Sequence, residues 1–458
     1  MGKSLSIERA VHNILTQSLI LRAEQSLLIF ADRDSLPVAE AITVGAQEMG
    51  IQVTTIYVPR SVQDAFGSHE VLPLPVEAAV READAIVSCL SDRPAHFPYR
   101  TRVLRDGWRR RTKLAHVPGM TLDILAMSDT NYDFMIERGS LLALAFVLGK
   151  EIELQSSRSD GRICRLRAEL RGWEFPPGIS DGVIPEGSWA NLPPGEAFVV
   201  PFRAQGEVAI NGSLPGRVLG VGEEMVLLFE NGRLRSIDPE QGLAAHHLHE
   251  NQIAHALQHN DPNWSNLAEI GIGLNPIIQR LQGVALVDEK MAGTAHIALG
   301  NSALLGGTVD SVIHCDLAIN GPTITIDNKP ILTQGEWALQ AEDWLLDHRY
   351  VSIPTGWWEG IRTVRSSGSR GERENGRLFR LWSSRSGRRS QLPVGCDQTA
   401  RLALKLYGLF QERGIKVPRE AIVSQAEQFN IESSELPGLL WVLHLYDLIR
   451  VHNGGEEG

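Results

Sequence analysis

The 458-residue sequence predicts an α/β N-terminal domain with a parallel sheet, followed by an α+β domain and a small helical, winged-helix-like C-terminal module. Three observations predict this order. Helix and strand patterns alternate up to about residue 155. Short strand patterns separated by Gly, Pro, Asn and Asp then continue to about residue 350, and amphipathic helical patterns return after residue 390.

The first region, residues 1–155, alternates helical and strand patterns regularly. Helical patterns lie near residues 7–22 and 36–49, and strand patterns at 26–32, 52–58, 85–90 and 113–118. This alternation is typical of a parallel sheet covered by helices. The turn after the first strand lacks a glycine-rich phosphate motif, so a Rossmann cofactor site is not expected.

The second region, residues 156–350, is predicted to be an α+β domain with antiparallel or mixed strands. The sequence Glu230-Asn-Gly-Arg233 is typical of a two-residue hairpin turn. Helical patterns cover residues 239–257 and 276–281. Strand patterns begin at Phe198, Val208, Arg217, Met225 and Arg233.

The third region, residues 351–390, is predicted to be a solvated linker rich in Arg, Ser and Gly. It holds nine arginines between Arg362 and Arg389. Contact with a nucleic acid or an acidic partner is the alternative for such a basic segment.

Residues 391–458 are predicted to form three helices and a short closing strand near residues 448–451, as in a winged-helix module. The segment from Ser433 to Leu448 has no Lys or Arg, so the third helix lacks the charge of a DNA-recognition helix.

The composition predicts a protein of the cytoplasm with no membrane or nucleic-acid partner. The net charge is -11 at pH 7, the N-terminus lacks the apolar segment of a signal peptide, and no apolar run reaches the length of a membrane span. The four cysteines show no Cys-x-x-Cys spacing, which argues against a zinc ribbon and a disulfide scaffold.

The residues best suited to chemistry lie between Gly293 and Asp316. His296, His314 and Asp316 are good ligands for a divalent transition metal, and in a strand His314 and Asp316 point to the same face. Two upstream carboxylates, Glu196 and Glu269, lie among apolar residues and glycines and need a charged partner if buried. Five candidate ligands exceed the needs of one tetrahedral ion, so they suggest a two-metal site with a shared carboxylate.

Other chemistries find less support in the sequence. His255 and His259 are spaced to share a helix face, but the glutamate of the HExxH metal motif is absent. No Gly-x-Ser-x-Gly segment is present to carry a serine nucleophile. Cys315 lies between two candidate ligands, and strand alternation directs its side chain away from them.

Taken together, these segments resemble the aminopeptidase T family of metallopeptidases. The resemblance covers about residues 5–330 and rests on four segments, in order: Leu-Pro-Pro-Gly-Glu196, Glu269-Ile-Gly-Ile-Gly-Leu-Asn-Pro, Gly-Thr-Ala-His296-Ile-Ala-Leu-Gly and His314-Cys-Asp316. It implies a homodimeric leucyl-aminopeptidase-type hydrolase that removes N-terminal residues from peptides. It also implies two divalent ions (zinc, cobalt or manganese) held by Glu196, Glu269, His296, His314 and Asp316, with Glu196 and Glu269 as the catalytic carboxylates.

The chain departs from the family's pattern at one position. The peptidases carry a catalytic tyrosine a few residues after the first histidine of this region, and here Asn301–Gly307 contains none. The nearest hydroxyls are Ser302 and Thr308.

Two alternatives remain open at this stage. The related dihydroxypyridine dioxygenases hold a single Fe(II) with two His and one Asp, which His296, His314 and Asp316 match, and such an enzyme would act on a small aromatic or amino-acid-derived substrate. A non-catalytic binder of a peptide or partner protein on the same scaffold is the other alternative.

Overall fold

The computed structural model describes residues 2–58, 72–90, 103, 112–171, 175, 177–184, 189–340, 350–353 and 450–453. Apart from the two four-residue strands at 350–353 and 450–453, the predicted linker and C-terminal module lie outside the described residues. Those two strands pair in parallel, Tyr350–Ile353 with Arg450–Asn453.

The chain forms two compact units, each built from separate stretches. The first comprises Met1–Ile136, Ser180–Glu196 and Leu274–Arg280, and the second Glu137–Ile179, Ala197–Gly273 and Leu281–Gly458. The domain boundaries expected near residues 155 and 350 stay predictions.

The first unit contains the predicted parallel sheet. Its strands, in the order β2-β1-β3-β4-β8, are β1 (Ser26–Ala31), β2 (Gln52–Tyr57), β3 (Ala85–Ser88), β4 (Lys113–His116) and β8 (Trp189–Asn191). Every neighbouring pair is parallel, which confirms the sheet type predicted from the helix–strand alternation. Strand β8 comes from a later stretch of chain that the sequence pattern did not assign to this sheet.

Helices connect and cover these strands. They are α1 (Gly2–Asn13, continued by a π-helical turn Ile14–Ser18), α2 (Leu36–Glu48), α3 (Leu74–Glu82), α4 (Leu122–Leu125) and α5 (Tyr132–Leu148), the last of which continues into the second unit. Helix α2 begins where Asp32 Oδ1 accepts hydrogen bonds from the backbone N–H and the hydroxyl of Ser35. Among the described residues, no helix is long and apolar enough to span a membrane.

The second unit contains an eight-stranded sheet whose described pairings are antiparallel. The predicted hairpin at Glu230–Arg233 is present: Asn231 and Gly232 both have positive φ, at 52° and 73°, and Glu230 pairs with Arg233. In the order β14-β13-β10-β6-β5-β18-β19-β20, the strands are β5 (Glu151–Ser157), β6 (Ile163–Glu169), β10 (Arg203–Ile210), β13 (Met225–Glu230), β14 (Arg233–Asp238), β18 (Thr323–Ile326), β19 (Lys329–Thr333) and β20 (Glu336–Trp337).

A seven-stranded sheet carries all five candidate ligands. In the order β12-β11-β17-β16-β15-β9-β7, its strands are β7 (Gly178–Ser180), β9 (Glu196–Val199), β11 (Ser213–Leu214), β12 (Arg217–Val218), β15 (Leu267–Gly273), β16 (Thr294–Gly300) and β17 (His314–Asn320). The division between the units falls inside β9, directly after Glu196, and β9 as a whole belongs to this sheet. Every residue of β15 and β16 is buried.

The helices of the second unit are short. Helix α6 (Leu243–Leu248), a π-helical turn (His249–Ile253) and α7 (Ala254–Gln258) follow one another, and α8 covers Ala285–Asp288. The helix predicted at residues 276–281 is absent. Asn275 Oδ1 accepts a hydrogen bond from the backbone N–H of Ile277, and this local turn replaces the first helical hydrogen bonds.

Candidate metal centre

The register of three antiparallel strands puts four candidate ligands on one face of the sheet. Across β16, Ala298 pairs with Glu269 on β15 and with Asp316 on β17. His314 pairs with Gly300. Because alternate residues of a strand share a face, His296 lies on the same face as Ala298 and Gly300. We call this side of the sheet the ligand face.

A β-bulge directs Glu269 to the ligand face. Leu267 pairs with Leu299, whereas Glu269 pairs with Ala298, so the register shifts by one residue between them. Without this shift Glu269 would oppose Ile297, whose side chain points to the other face. Bulges commonly redirect a side chain next to a functional site in this way.

Small residues alternate with the ligands on this face. His296 lies between Gly271 and Ala318 on the neighbouring strands, while Ala298 separates Glu269 from Asp316. A Cβ atom added to Gly271 would collide with the imidazole of His296. The small residues at these positions leave room for the imidazole of His296.

Glu269 is the residue that contacts both imidazoles. Its Oε1 lies 3.3 Å from Nε2 of His296, and its Oε2 lies 3.1 Å from Nε2 of His314. Nε2 of His314 is also 3.3 Å from Oδ1 of Asp316. Glu269 and His296 are nearly inaccessible to solvent, with side-chain exposures of 5% and 1%.

His314 is oriented by a backbone carbonyl. Its Nδ1 lies 2.8 Å from the oxygen of Asn301, which can only accept, so Nδ1 carries the proton and donates it. In the neutral ring the lone pair is then on Nε2, the atom that faces Glu269 and Asp316. This outer hydrogen bond is the usual means of fixing the tautomer of a histidine ligand.

The loop from Asn301 to Ile313 holds that carbonyl in place. The Asn301 side chain donates to Oδ1 of Asp310 at 2.7 Å and to the carbonyl of Ser311 at 2.9 Å. Asp261 in turn accepts from the Ser311 hydroxyl at 2.5 Å and from the Val312 N–H at 3.0 Å.

The buried charges stabilise one another. Burial by itself would raise the pKa of Glu269, but hydrogen bonds and charge from His296 and His314 lower it below its ordinary value. Partial burial would lower the pKa of His314, yet Asp316 and Glu269 raise it well above its ordinary value. Burial would raise the pKa of Asp316, but the charge and hydrogen bond of His314 outweigh burial, so this pKa lies below its ordinary value. Carboxylates held in the ionised form suit a cation site.

Two ligand groups emerge from this geometry. Glu196, Glu269 and His296 each offer one ligand atom within 4.8 Å of the others, and so do Glu269, His314 and Asp316. Oxygen and imidazole donors of this kind fit zinc, cobalt or manganese. Among the described residues, His296, His314 and Asp316 do not form such a group by themselves.

The remaining sequence candidates lie elsewhere. The Ser302 hydroxyl is buried in its own loop and accepts from the N–H of Val309 at 3.2 Å, and Thr308 is exposed. The ring centroids of His255 and His259 are 4.4 Å apart with the ring planes tilted by 51°, and neither residue belongs to a ligand group among the residues described. Burial raises the pKa of the Cys315 thiol, which opposes a nucleophilic role.

Sequence reasoning missed two residues of this region. Gly271 has no side chain to attract notice, although it belongs to the Glu-Ile-Gly-Ile-Gly segment. Lys290 is fully buried, a rare state for lysine, and lies three residues before the glycine that opens the His296 segment. Its place in the unbroken run Asp288-Glu-Lys290 gives no sign of burial.

Solved structures similar to this chain include two enzymes. The 2,5-dihydroxypyridine dioxygenase from Pseudomonas putida KT2440 is 18% identical over 74% of this chain and 99% of its own, with a TM-score of 0.56. Wild-type AmpT from Thermus thermophilus, an aminopeptidase T, is 15% identical over 73% of this chain and 99% of its own, with a TM-score of 0.52. No protein-family model and no curated protein sequence matches the chain. The likeness to these two proteins is therefore a distant structural relationship that concerns the fold.

Proposed function

We propose that the chain is a metal-dependent hydrolase of the aminopeptidase T type, which removes N-terminal residues from peptides at a two-metal centre. The observation that carries this proposal is the shared position of Glu269. It belongs to both ligand groups, one completed by Glu196 and His296 and the other by His314 and Asp316. A carboxylate common to two groups is the arrangement that a two-metal site needs.

Each side chain then has a stated role. Glu196, Glu269 and His296 would hold one ion, and Glu269, His314 and Asp316 the other. When bound, such ions would supply Lewis-acid chemistry, which polarises a scissile carbonyl and lowers the pKa of a bound water. One of the two glutamates, Glu196 or Glu269, would also accept the proton of the attacking water. Zinc is the proposed ion, with cobalt or manganese as alternatives, and we further propose a homodimer located in the cytoplasm.

Metal content tests the proposal first. We expect two equivalents of zinc, cobalt or manganese per chain, measured by plasma mass spectrometry on protein purified without chelator. Glu269→Gln keeps the shape of the side chain but removes its charge, so it should lower peptide hydrolysis by on the order of a hundredfold or more. Glu250→Gln, at an exposed helical glutamate, is the matched control and should keep full activity. Undiminished hydrolysis by Glu269→Gln would refute the assignment.

A mononuclear Fe(II) oxygenase that uses His296, His314 and Asp316 is the second candidate. The dioxygenase among the structural neighbours favours it. The separation of His296 from the His314–Asp316 group in the described residues argues against it. About one equivalent of iron per chain, with oxygen uptake that His314→Ala abolishes, would favour the oxygenase over the hydrolase.

A non-catalytic binder on the same scaffold is the third candidate, and the absent tyrosine motivates it. Protein that takes up no metal on reconstitution and hydrolyses no peptide, yet binds one, would establish this candidate.

A further inference from the structure

The segment that leads into Glu196 is held by a buried asparagine. Asn275 lies two residues beyond the end of β15 and is 0% exposed. Its Nδ2 donates to the carbonyl of Pro194 at 2.8 Å and to the carbonyl of Met127, between α4 and α5, at 3.1 Å. Its Oδ1 accepts from the N–H of Ile277 at 3.0 Å. Both amide hydrogens and the amide oxygen are therefore used, and an ionised aspartate of the same shape could supply only the oxygen.

The peptide groups that precede β9 are held by three hydrogen bonds. Gly195 donates its N–H to the carbonyl of Ser180 and accepts from the N–H of Leu274, both at 2.7 Å. The carbonyl before it, that of Pro194, belongs to a buried residue and accepts from the side chain of Asn275. Because a buried carbonyl without a donor is costly, loss of the amide would favour displacement of this peptide.

Asn275 also packs against the backbone of Gly195. This glycine has a φ of 132°, which L side chains rarely adopt, and a Cβ atom on it would lie 2.5 Å from the Cβ of Asn275. The close approach is possible only because Gly195 has no side chain. Glu196 is the next residue and the first of β9, so the direction in which its carboxylate leaves the strand depends on how Asn275 holds this turn.

We propose that Asn275 is a positioning residue for Glu196, and through it for one of the two metal ions. We name the two ligand groups after the carboxylate that belongs to only one of them: the Glu196 group also contains Glu269 and His296, and the Asp316 group also contains Glu269 and His314. The amide of Asn275 fixes the backbone before Glu196 and touches no part of the Asp316 group through it, so its effect should fall on one ion. This inference rests on the proposed two-metal centre.

Zinc affinity, measured by competition with a chromophoric chelator at fixed pH and ionic strength, tests the inference. The wild type should show two binding steps. Asn275→Asp keeps the shape of the side chain and the acceptor for Ile277, but it loses the donors to Pro194 and Met127. It should weaken one step by about tenfold or more, as loss of a group that orients a ligand commonly does, and leave the other within about threefold.

Asn211→Asp is the matched control. The Nδ2 of Asn211 also donates to two carbonyls, those of Ser157 at 3.0 Å and Asn320 at 3.2 Å, and its Oδ1 accepts from the N–H of Asn320 at 2.8 Å. Asn320 ends β17, whereas His314 begins it. Both substitutions should lower the melting temperature of the metal-free protein, but Asn211→Asp should leave both zinc-binding steps unchanged.

A double variant separates the positioning of Glu196 from general support of the fold. Glu196→Gln already removes the charge of the ligand that Asn275 is proposed to position. Adding Asn275→Asp to Glu196→Gln should therefore cause no further loss of zinc affinity. Further weakening in the double variant, or equal weakening of both steps in Asn275→Asp alone, would overturn the inference.

Gly195→Ala disturbs the same contact from the other side and decides the matter if Asn275→Asp does not fold. It should also weaken one zinc-binding step and spare the other. Failure of both variants to fold would show that the contact serves the fold itself, and would overturn the inference. A wild type that binds no zinc would overturn the proposed metal centre as well, whereas two bound zinc ions with unchanged affinities in Asn275→Asp would overturn this inference alone.

Discussion

The imidazole of His296 lies over Gly271, the residue that pairs with it across β15 and β16. A side chain at position 271 would occupy the space of the ring, so His296 can take this position only because residue 271 is a glycine. This relationship links a residue without a side chain to the geometry of a candidate ligand.

We therefore expect Gly271→Ala to displace His296 and to lower metal occupancy. The added methyl group overpacks a closed site and should also cost about 1–3 kcal/mol of stability. Metal content per chain and the free energy of unfolding of the metal-free protein measure the two effects.

Gly220→Ala is the control for this substitution. A Cβ atom at Gly220 would make only an ordinary van der Waals contact, 3.5 Å from Oε2 of Glu223. This variant should keep its metal and its stability. Full occupancy in Gly271→Ala would contradict the prediction.

Ala298 offers a second test of the space above the sheet. It is fully buried and separates Glu269 from Asp316. Ala298→Val should push these carboxylates apart and reduce binding of the ion that they share, with a loss of about 1–3 kcal/mol of stability. Ala298→Gly leaves the space open, so it should retain metal at a cost of about 1 kcal/mol. Equal metal content in the two variants would show that the space is not needed.

The fold class follows from patterns that the sequence displays directly. The alternation of helices and strands predicts the parallel sheet. The Asn231-Gly232 turn predicts the hairpin between β13 and β14 in the antiparallel sheet, because both residues tolerate positive φ. Period-two spacing predicts that His314 and Asp316 share a face, and in the structure their side chains are 3.3 Å apart.

The position of Glu269 is different, because it depends on the bulge between Leu267 and Glu269. Leu267 pairs with Leu299 and faces away from His296, so strict alternation from Leu267 through Ala268 would put Glu269 on that same opposite face. A bulge is set by pairing with another strand, and the local sequence does not encode that register. The burial of Lys290 could not be predicted for a similar reason, because it depends on tertiary packing that the run Asp288-Glu-Lys290 does not encode.

Asp261 gives a prediction that depends on pH. Burial would raise its pKa, but hydrogen bonds from Ser311, Asn263 and Val312 lower it below the ordinary value. The folded pKa is therefore below the unfolded one. The resulting stability is fully present above the unfolded pKa of about 3.9 and is lost as pH falls through the folded pKa.

Asp261→Asn should accordingly cost about 1–3 kcal/mol at pH 7, because hydrogen bonds to a charged acceptor are lost. Denaturant unfolding of the metal-free proteins from pH 7 down to pH 3 measures this difference, which should shrink below about pH 4. The variant should also bind zinc more weakly, since Asp261 anchors the loop that orients His314. A stability difference that stays constant across this pH range would refute the assigned role.

The two ligand groups predict how many metal ions the protein loses when each carboxylate is replaced. Glu196 belongs to one group and Asp316 to the other, while Glu269 belongs to both. Glu196→Gln and Asp316→Asn should therefore each retain one of two zinc ions, whereas Glu269→Gln should weaken both. Zinc per chain, measured after gel filtration in buffer with a fixed free-zinc concentration, distinguishes these outcomes. Two ions retained by Glu196→Gln would exclude Glu196 from the centre. Loss of all metal from Asp316→Asn alone would instead indicate a single-ion site, because a shared carboxylate predicts that the other group keeps its ion.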